Sequence, residues 1–235
     1  MKNFINYAHR GASTYYPENT LLSFRKGLEM GANGIETDVQ ITKDGVLVLF
    51  HDDNLKRILG KDGCIADYTY DQLLEFKVKN GEFYDKIPTF EEFLQEFSSK
   101  DITFAIELKV KGVAKKTAEM IYKFGVENKV IITSFIFDAM KEIKEVAPNL
   151  KRGYLFFNLD EKTCKEIEEL ELYEICPKGE NVSKEDVQNY HQKGYNVRAW
   201  GMKNEQIMIE TIKKGVDGMT VNFPDKLTEY LLNNK

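Results

Sequence analysis

Glu36 and Asp38 sit two residues apart in the β-prone run Gly34-Ile35-Glu36-Thr37-Asp38-Val39, so on a strand both carboxylates leave the same face. Glu107 and Lys109 share that spacing in a second such run. Three carboxylates facing one another repel unless a cation neutralises them. An all-oxygen ligand set without cysteine suits a hard divalent ion, Mg²⁺ or Ca²⁺, better than zinc. The competing reading is that Arg10 and Lys109 balance Glu36, Asp38 and Glu107 in salt bridges with no metal. Two of the three histidines, His9 and His51, also fall at the ends of apolar runs beside a charged neighbour. Such a pair can divide acid–base work, one accepting a proton from an attacking oxygen and the other protonating a leaving alkoxide. Either alone would read as a hydrogen-bonded packing histidine. Arg10 and Lys109 could also grip the non-bridging oxygens of a phosphate, Arg through its planar fork and Lys as a point charge. Trp200 ends another run, where it lines a pocket wall or caps the sheet. His191 lies in a helical pattern and reads as a solvated surface residue.

The elements that would carry these groups are eight short apolar runs, 5–8, 34–39, 102–108, 130–133, 153–157, 172–176, 196–200 and 218–221. Amphipathic helical patterns separate most of them, over 20–30, 115–124, 137–146, 162–170, 184–193 and 205–214. Near-continuous apolar strands alternating with helices imply a parallel sheet covered by helices, and eight units point to a closed (β/α)₈ TIM barrel. Gly31, Gly125, Gly194 and Gly215 follow helical patterns where a left-handed cap is expected. Asn19 and Ser183 stand where N-caps do, and Thr89 with Glu92 has capping-box spacing. Catalytic groups of such a barrel gather at the C-terminal strand ends. His9, Glu36, Asp38, Glu107 and Trp200 all occupy those ends.

One segment breaks the alternation. The apolar run 46–50 follows the second strand after only Thr42-Lys43-Asp44-Gly45, too short for a parallel crossover. An antiparallel hairpin turning at Asp44-Gly45 is expected, with His51 returning opposite Thr37 or Asp38. The insertion as a whole spans about 41–88 of a single domain over 1–235, with a short helix near 71–76. Its apolar side chains, Leu55, Ile58, Leu59, Leu73, Leu74, Phe76 and Phe83, are expected to pack this lid-like excursion onto the barrel.

Composition narrows the function. With 235 residues, 42% hydrophobic and 30% charged, the chain can bury a sizeable core. A net charge of −5 gives no basic field for a polyanion, which argues against nucleic-acid binding while leaving room for a small anionic substrate. Cys64, Cys164 and Cys176 have neither metal-site nor disulfide-framework spacing and read as buried free thiols of a reducing compartment. No stretch is apolar enough for a signal-peptide core or a membrane span, so a cytoplasmic location without stable membrane insertion is expected.

These residues fall into an ordered pattern. His9-Arg10-Gly11, Pro17-Glu18-Asn19-Thr20, Glu36-Thr37-Asp38-Val39, His51-Asp52, Ile87-Pro88-Thr89 and Glu107-Leu108-Lys109 resemble, in order and spacing, the motifs of glycerophosphodiester phosphodiesterases. The resemblance runs from residue 7 to Pro224. It implies a TIM barrel with a small insertion after strand two, and a divalent ion on Glu36, Asp38 and Glu107. It further implies an acid–base pair in His9 and His51, and a phosphate held by Arg10 and Lys109. The reaction implied is hydrolysis of a small glycerophosphodiester to glycerol 3-phosphate and an alcohol such as choline, ethanolamine, glycerol or inositol. Two stretches depart from the pattern. Val221-Asn222-Phe223-Pro224 stands where the family often has Thr-Asp-Tyr-Pro, and Trp200-Gly201-Met202-Lys203 where it often has Trp-Thr-Val-Asn. Both touch the pocket wall, and with it the choice of alcohol. A lysophospholipase D-like enzyme acting on lysolipids is the alternative, and would need a membrane-facing apolar rim. A binding protein that had lost its chemistry would lack a histidine or a carboxylate, and every position here is filled.

Overall fold

The computed structural model describes residues 4–234. Its strands are β1 (Ile5–His9), β2 (Gly34–Ile41), β3 (Leu47–Leu49), β4 (Val78–Asn80), β5 (Phe83–Asp85), β6 (Thr103–Leu108), β7 (Val130–Ser134), β8 (Lys151–Phe156), β9 (Glu174–Pro177), β10 (Asn196–Met202) and β11 (Gly218–Val221). Its α-helices are α1 (Leu21–Glu29), α2 (Lys56–Leu59), α3 (Tyr70–Leu73), α4 (Phe90–Phe97), α5 (Ala114–Lys123), α6 (Phe137–Val146), α7 (Glu161–Leu170), α8 (Lys184–Gln192), α9 (Glu205–Ile212) and α10 (Pro224–Asn233). Eight parallel strands follow the order β1-β11-β10-β9-β8-β7-β6-β2, and β2 pairs with β1 to close the ring. This is the expected TIM barrel.

Alternation along each strand decides what faces inward. On β2 and β6, Ile35, Val39, Phe104, Ile106 and Leu108 join the apolar layer beneath the helices. Their neighbours Glu36, Asp38 and Glu107 must then point into the ring. The same parity turns Val197 and Ala199 of β10 outward and leaves Arg198 and Trp200 inside. The outer layer supplies the driving force. In α4, Phe90, Phe93, Leu94 and Phe97 are buried at i, i+3, i+4 and i+7. Phe93 meets Phe24 and Phe104 edge-on at 5.1 and 5.6 Å, so truncating it to alanine should cost about 3–5 kcal/mol. That helix starts where the capping box placed it, Thr89 Oγ1 accepting from Glu92 N–H at 3.0 Å and Glu92 accepting from Thr89 N–H at 2.9 Å. Ser183 caps α8 in the same way with Asp186.

β1 reaches α1 through a tight turn at Gly11, which has φ +86. A Cβ there would fall 2.3 Å from Ser23 Oγ, so only glycine lets the strand end approach the helix this closely. The cap of α1 is Thr20, whose hydroxyl accepts from Ser23 N–H, and not Asn19. Asn19 instead has φ +55 and turns its amide toward β2.

Between β2 and α4, β3 returns antiparallel to β2 with Val39 opposite Leu49 and Ile41 opposite Leu47. Phe50 N–H donates to Asp38 O at 3.0 Å, which brings His51 level with Thr37. The helix expected near 71–76 is the single turn α3, and the segment also contains α2 and the β4–β5 ribbon. Its apolar side chains form a cluster of their own, in which Val48, Phe50, Leu55, Ile65, Leu73, Val78 and Ile87 are buried. Leu74 and Phe83, expected to pack inward, are instead more than a third exposed. Asn80 ties the ribbon to the β1–α1 loop by donating to the carbonyls of Ser13 (3.2 Å) and Tyr16 (3.2 Å).

The cysteines correct another expectation. Only Cys176 is buried, pointing into the barrel; Cys64 is half-buried and Cys164 is exposed. Cys164 falls between the buried Thr163 and Glu166 of α7 on the side that faces water. Among the described residues no helix is long and apolar enough to cross a membrane.

Candidate active site

Two neighbouring strands, β2 and β6, deliver the three carboxylates to one point. Glu36, Asp38 and Glu107 are all buried, and each offers an oxygen within 4.8 Å of the others. Glu36 Oε2 and Asp38 Oδ1 are buried without any hydrogen-bond donor. Lys109 Nζ donates to Glu107 Oε1 at 2.8 Å and stands 3.9 Å from Asp38 Oδ1. Arg10, held at φ +56 just after β1, brings Nε to 3.2 Å from Asp38 Oδ2 and donates from Nη1 to Glu18 at 3.0 Å. The salt bridges anticipated from Arg10 and Lys109 therefore reach Asp38 and Glu107 but not Glu36. Two cations still do not satisfy three buried acids. Burial and the neighbouring Asp38 push Glu107 up to about 7, Lys109 opposing. Burial, Asp38 and Glu107 drive Glu36 well above the carboxylate range. Asp38 goes the other way: against burial, Arg10, His51 and Lys109 hold it down to about 2. Orphaned oxygens among acids that resist ionisation are what a site built for a further positive charge looks like, and the donor set is all oxygen.

His9 and His51 stand at the rim of the same cluster. His9 Nδ1 lies 2.5 Å from Asn222 Oδ1, and its Nε2 is 3.7 Å from Glu36 Oε2. An amide oxygen only accepts, so Nδ1 carries the proton and Nε2 is the free lone pair. Burial and the adjacent Arg10 lower the His9 pKa to about 3 and keep the ring neutral. His51 Nδ1 donates to Asp52 Oδ1 at 2.7 Å, which frees its Nε2 in the same way. The two differ in what supports them, an amide behind His9 and a carboxylate behind His51.

Three residues to which the sequence assigned no site role complete this shell. Asn19 donates from Nδ2 to Asp38 Oδ2 at 2.8 Å and accepts from the Thr37 hydroxyl at 2.8 Å. Arg57 of α2 donates to Asp52 (2.7 and 2.8 Å) and to both oxygens of Glu18 (2.7 and 2.8 Å). It thereby clamps the insertion to the β1–α1 loop and fixes the acid behind His51. Glu18 sits between Arg10 and Arg57. Asn19 and Glu18 belong to Pro17-Glu18-Asn19-Thr20, so the motif was visible even though its geometry was not.

The cavity above the carboxylates has a volume of about 390 Å³, within the range of small-molecule sites. His9, Arg10, Glu36, His51 and Glu107 line one side; Phe135, Phe157, Lys178, Trp200 and Lys203 line the other. Trp200 is thus a cavity-wall residue, its ring anchored by donation from Nε1 to Cys176 O at 3.1 Å. His191 stays at the surface, paired with Asp217 at 2.8 Å.

Sequence comparison decides the family. The profile of the glycerophosphoryl diester phosphodiesterase family matches residues 9–226, which takes in every residue of this constellation. The chain belongs to that family. A glycerophosphodiester phosphodiesterase of Caldanaerobacter subterraneus subsp. tengcongensis is 34% identical over 97% of this chain and 97% of its own length. One from Bacillus altitudinis is 31% identical over 94% and 95%. Among solved structures, the glycerophosphodiester phosphodiesterase of Thermotoga maritima superposes with a TM-score of 0.80 at 28% identity, covering 98% of this chain and 100% of that one. The chain is thus a phosphoric diester hydrolase of this family, with a buried acidic triad in its barrel mouth.

Proposed function

We propose that the protein hydrolyses small glycerophosphodiesters to glycerol 3-phosphate and an alcohol, with His9 and His51 as base and acid and a divalent cation, Mg²⁺ or Ca²⁺, on Glu36, Asp38 and Glu107. The observation that carries this reading is the pairing of two histidines, each with a free Nε2, with a carboxylate cluster that keeps two buried oxygens unsatisfied. When bound, the cation supplies a Lewis acid for the phosphoryl oxygens. Arg10 and Lys109 are placed to hold the remaining phosphate charge and to orient the diester in the cavity.

The supports behind the histidines suggest a division of labour. His9 is backed by a neutral amide and strongly disfavours protonation at rest. It takes the proton of the attacking hydroxyl at Nε2, whether of water or of the neighbouring glycerol carbon. Burial lowers the pKa of His51, with Arg10 and Lys109 adding to the effect, while Asp38 and the supporting Asp52 oppose them and favour the imidazolium. His51 gives its Nε2 proton to the alcohol oxygen as the P–O bond to that oxygen breaks. If the glycerol hydroxyl attacks first, the two histidines exchange roles when water opens the cyclic phosphate.

The test is release of glycerol 3-phosphate from glycerophosphocholine, glycerophosphoethanolamine and glycerophosphoinositol, with EDTA and with Mg²⁺ or Ca²⁺ restored. Metal-dependent release is expected; no release with any cation would refute the proposal. The assignment of roles is checked with a nitrophenyl diester, whose leaving group needs no proton. Such a substrate should restore turnover to His51→Ala and not to His9→Ala.

A further inference from the structure

We infer that the half of the cavity opposite the carboxylates seats the leaving alcohol and favours an uncharged, hydroxyl-rich alcohol over a cationic one; this rests on the diester reading above. The carboxylates and histidines of the site come from β1, β2, β6 and the insertion. The facing wall comes from the loops after β7, β8 and β9 and from β10. A diester held at its phosphate between them must send one arm each way. The glycerol arm, with its hydroxyls, matches the charged side.

The facing wall is aromatic. Trp200 stands at 90° to Phe135 and 88° to Phe157, with centroids 5.0 and 4.9 Å away, and the two phenyl rings lie 5.3 Å apart. Rings this close fill one another's faces. A cage for a quaternary ammonium needs opposed rings spread widely enough for the cation to sit between them, within about 6 Å of each centroid. Here Trp200 packs edge against face with both phenyl rings, which tilt against each other, and no gap is left between opposed rings, an apolar surface suited to the C–H face of a polyol.

The charges on that wall point the same way. Lys178 and Lys203 both line the cavity and share one carboxylate, Glu180, at 3.2 and 3.0 Å. Two ammonium groups against one acid leave a net positive charge beside the aromatic rings. Lys178 is held there by its stem, which packs over Gly201: a Cβ on that residue would lie 3.3 Å from Lys178 Cγ. Ammonium donors suit hydroxyl oxygens and repel choline or ethanolamine.

The experiment compares kcat/KM for glycerophosphoinositol and glycerophosphocholine, using the full chain with Mg²⁺ or Ca²⁺. The wild type should favour the inositol ester by roughly 10-fold, the scale of one displaced charge contact in a partly solvated site. The double variant Lys178→Met/Lys203→Met should erase that preference by losing the polyol ester and gaining the choline ester. Glu180→Gln, which leaves both lysines uncompensated, should widen it. A wild-type preference for choline would overturn the inference. So would an equal change in both esters, which would place the glycerol arm against this wall. Faster turnover of lysophosphatidylcholine than of either soluble diester would also overturn it, by giving the wall to an acyl chain. Failure to turn over any diester with any cation would sink the reading of the site itself, and this inference with it.

Discussion

Asn19→Gly removes one side chain that is not part of the cavity lining and should nevertheless weaken the proposed metal site. The amide of Asn19 is the hydrogen-bond donor to Asp38 Oδ2, at 2.8 Å, and the acceptor for the Thr37 hydroxyl at the same distance. A hydrogen bond to a buried carboxylate is worth about 1.5–3 kcal/mol, and loss of a supporting partner costs a metal site roughly 10–100-fold in affinity. Asn19→Gly should therefore raise the half-saturating Mg²⁺ or Ca²⁺ concentration by at least about 10-fold. It should also lower stability by about 2 kcal/mol, because Asp38 Oδ2 loses its amide donor and the Thr37 hydroxyl its acceptor. Glycine accepts φ +55 without strain, whereas alanine pays about 1 kcal/mol more at that backbone angle. Asn19→Ala should then match Asn19→Gly in metal requirement and melt a few degrees lower. Metal titration of activity, set beside thermal melts of both variants, separates the two effects. A wild-type metal requirement in Asn19→Gly would refute the reasoning and reduce Asn19 to a turn residue.

Other perturbations give different signatures. His9→Ala and His51→Ala should each lose about 10²- to 10⁴-fold in kcat on natural diesters while melting near the wild-type temperature; near-normal turnover in both would remove them from the chemistry. Arg57→Ala should lower kcat about 10-fold with little change in KM, since it loosens Asp52 behind His51, and Arg57→Lys should recover only part because one ammonium cannot serve two carboxylates. Glu107 titrates at about 7 before a cation binds, and its proton must leave for the oxygen to become a ligand. Metal affinity, followed by thermal shift, should therefore fall as pH drops below 7, by roughly 10-fold between pH 8 and pH 6; an affinity that rises on acidification would contradict the assignment.

The barrel was legible because its information is periodic. Each strand is an apolar run, each helix carries a 3.6-residue stripe, and parity along the strands sends Glu36, Asp38 and Glu107 inward together. His51 could be brought beside them because a four-residue connection leaves only a hairpin. The supporting groups depend on backbone angles that no period encodes. Asn19 and Thr20 are both good caps, and only the left-handed turn at Asn19 decides that Thr20 caps while Asn19 reaches Asp38. Arg57 sits on a single helical turn, too short for a pattern, and its two partners lie 5 and 39 residues away in sequence. Phe135 and Phe157 stand just beyond strand ends, in loops whose paths the strands do not dictate. The β4–β5 ribbon turns at Gly81-Glu82, between the paired Asn80 and Phe83, and its three-residue strands are too short to show a period.

The insertion's separate apolar cluster bears on how the protein fails under stress. Val48, Phe50, Leu55 and their neighbours are a small core, joined to the barrel by β2–β3 pairing, the Asn80 contacts and the Arg57 clamp. A unit of that size can open on its own at a lower free energy than the whole molecule. Because it carries His51, the acid of the proposed mechanism, and the groups that hold it, opening should halt turnover while the eight-stranded ring stays closed. Amide exchange in 52–87 should accordingly run faster than in the barrel strands, and activity should vanish at a lower urea concentration than far-ultraviolet ellipticity does. The insertion then acts as a fuse, setting the enzyme's working limit well below the melting point of its scaffold.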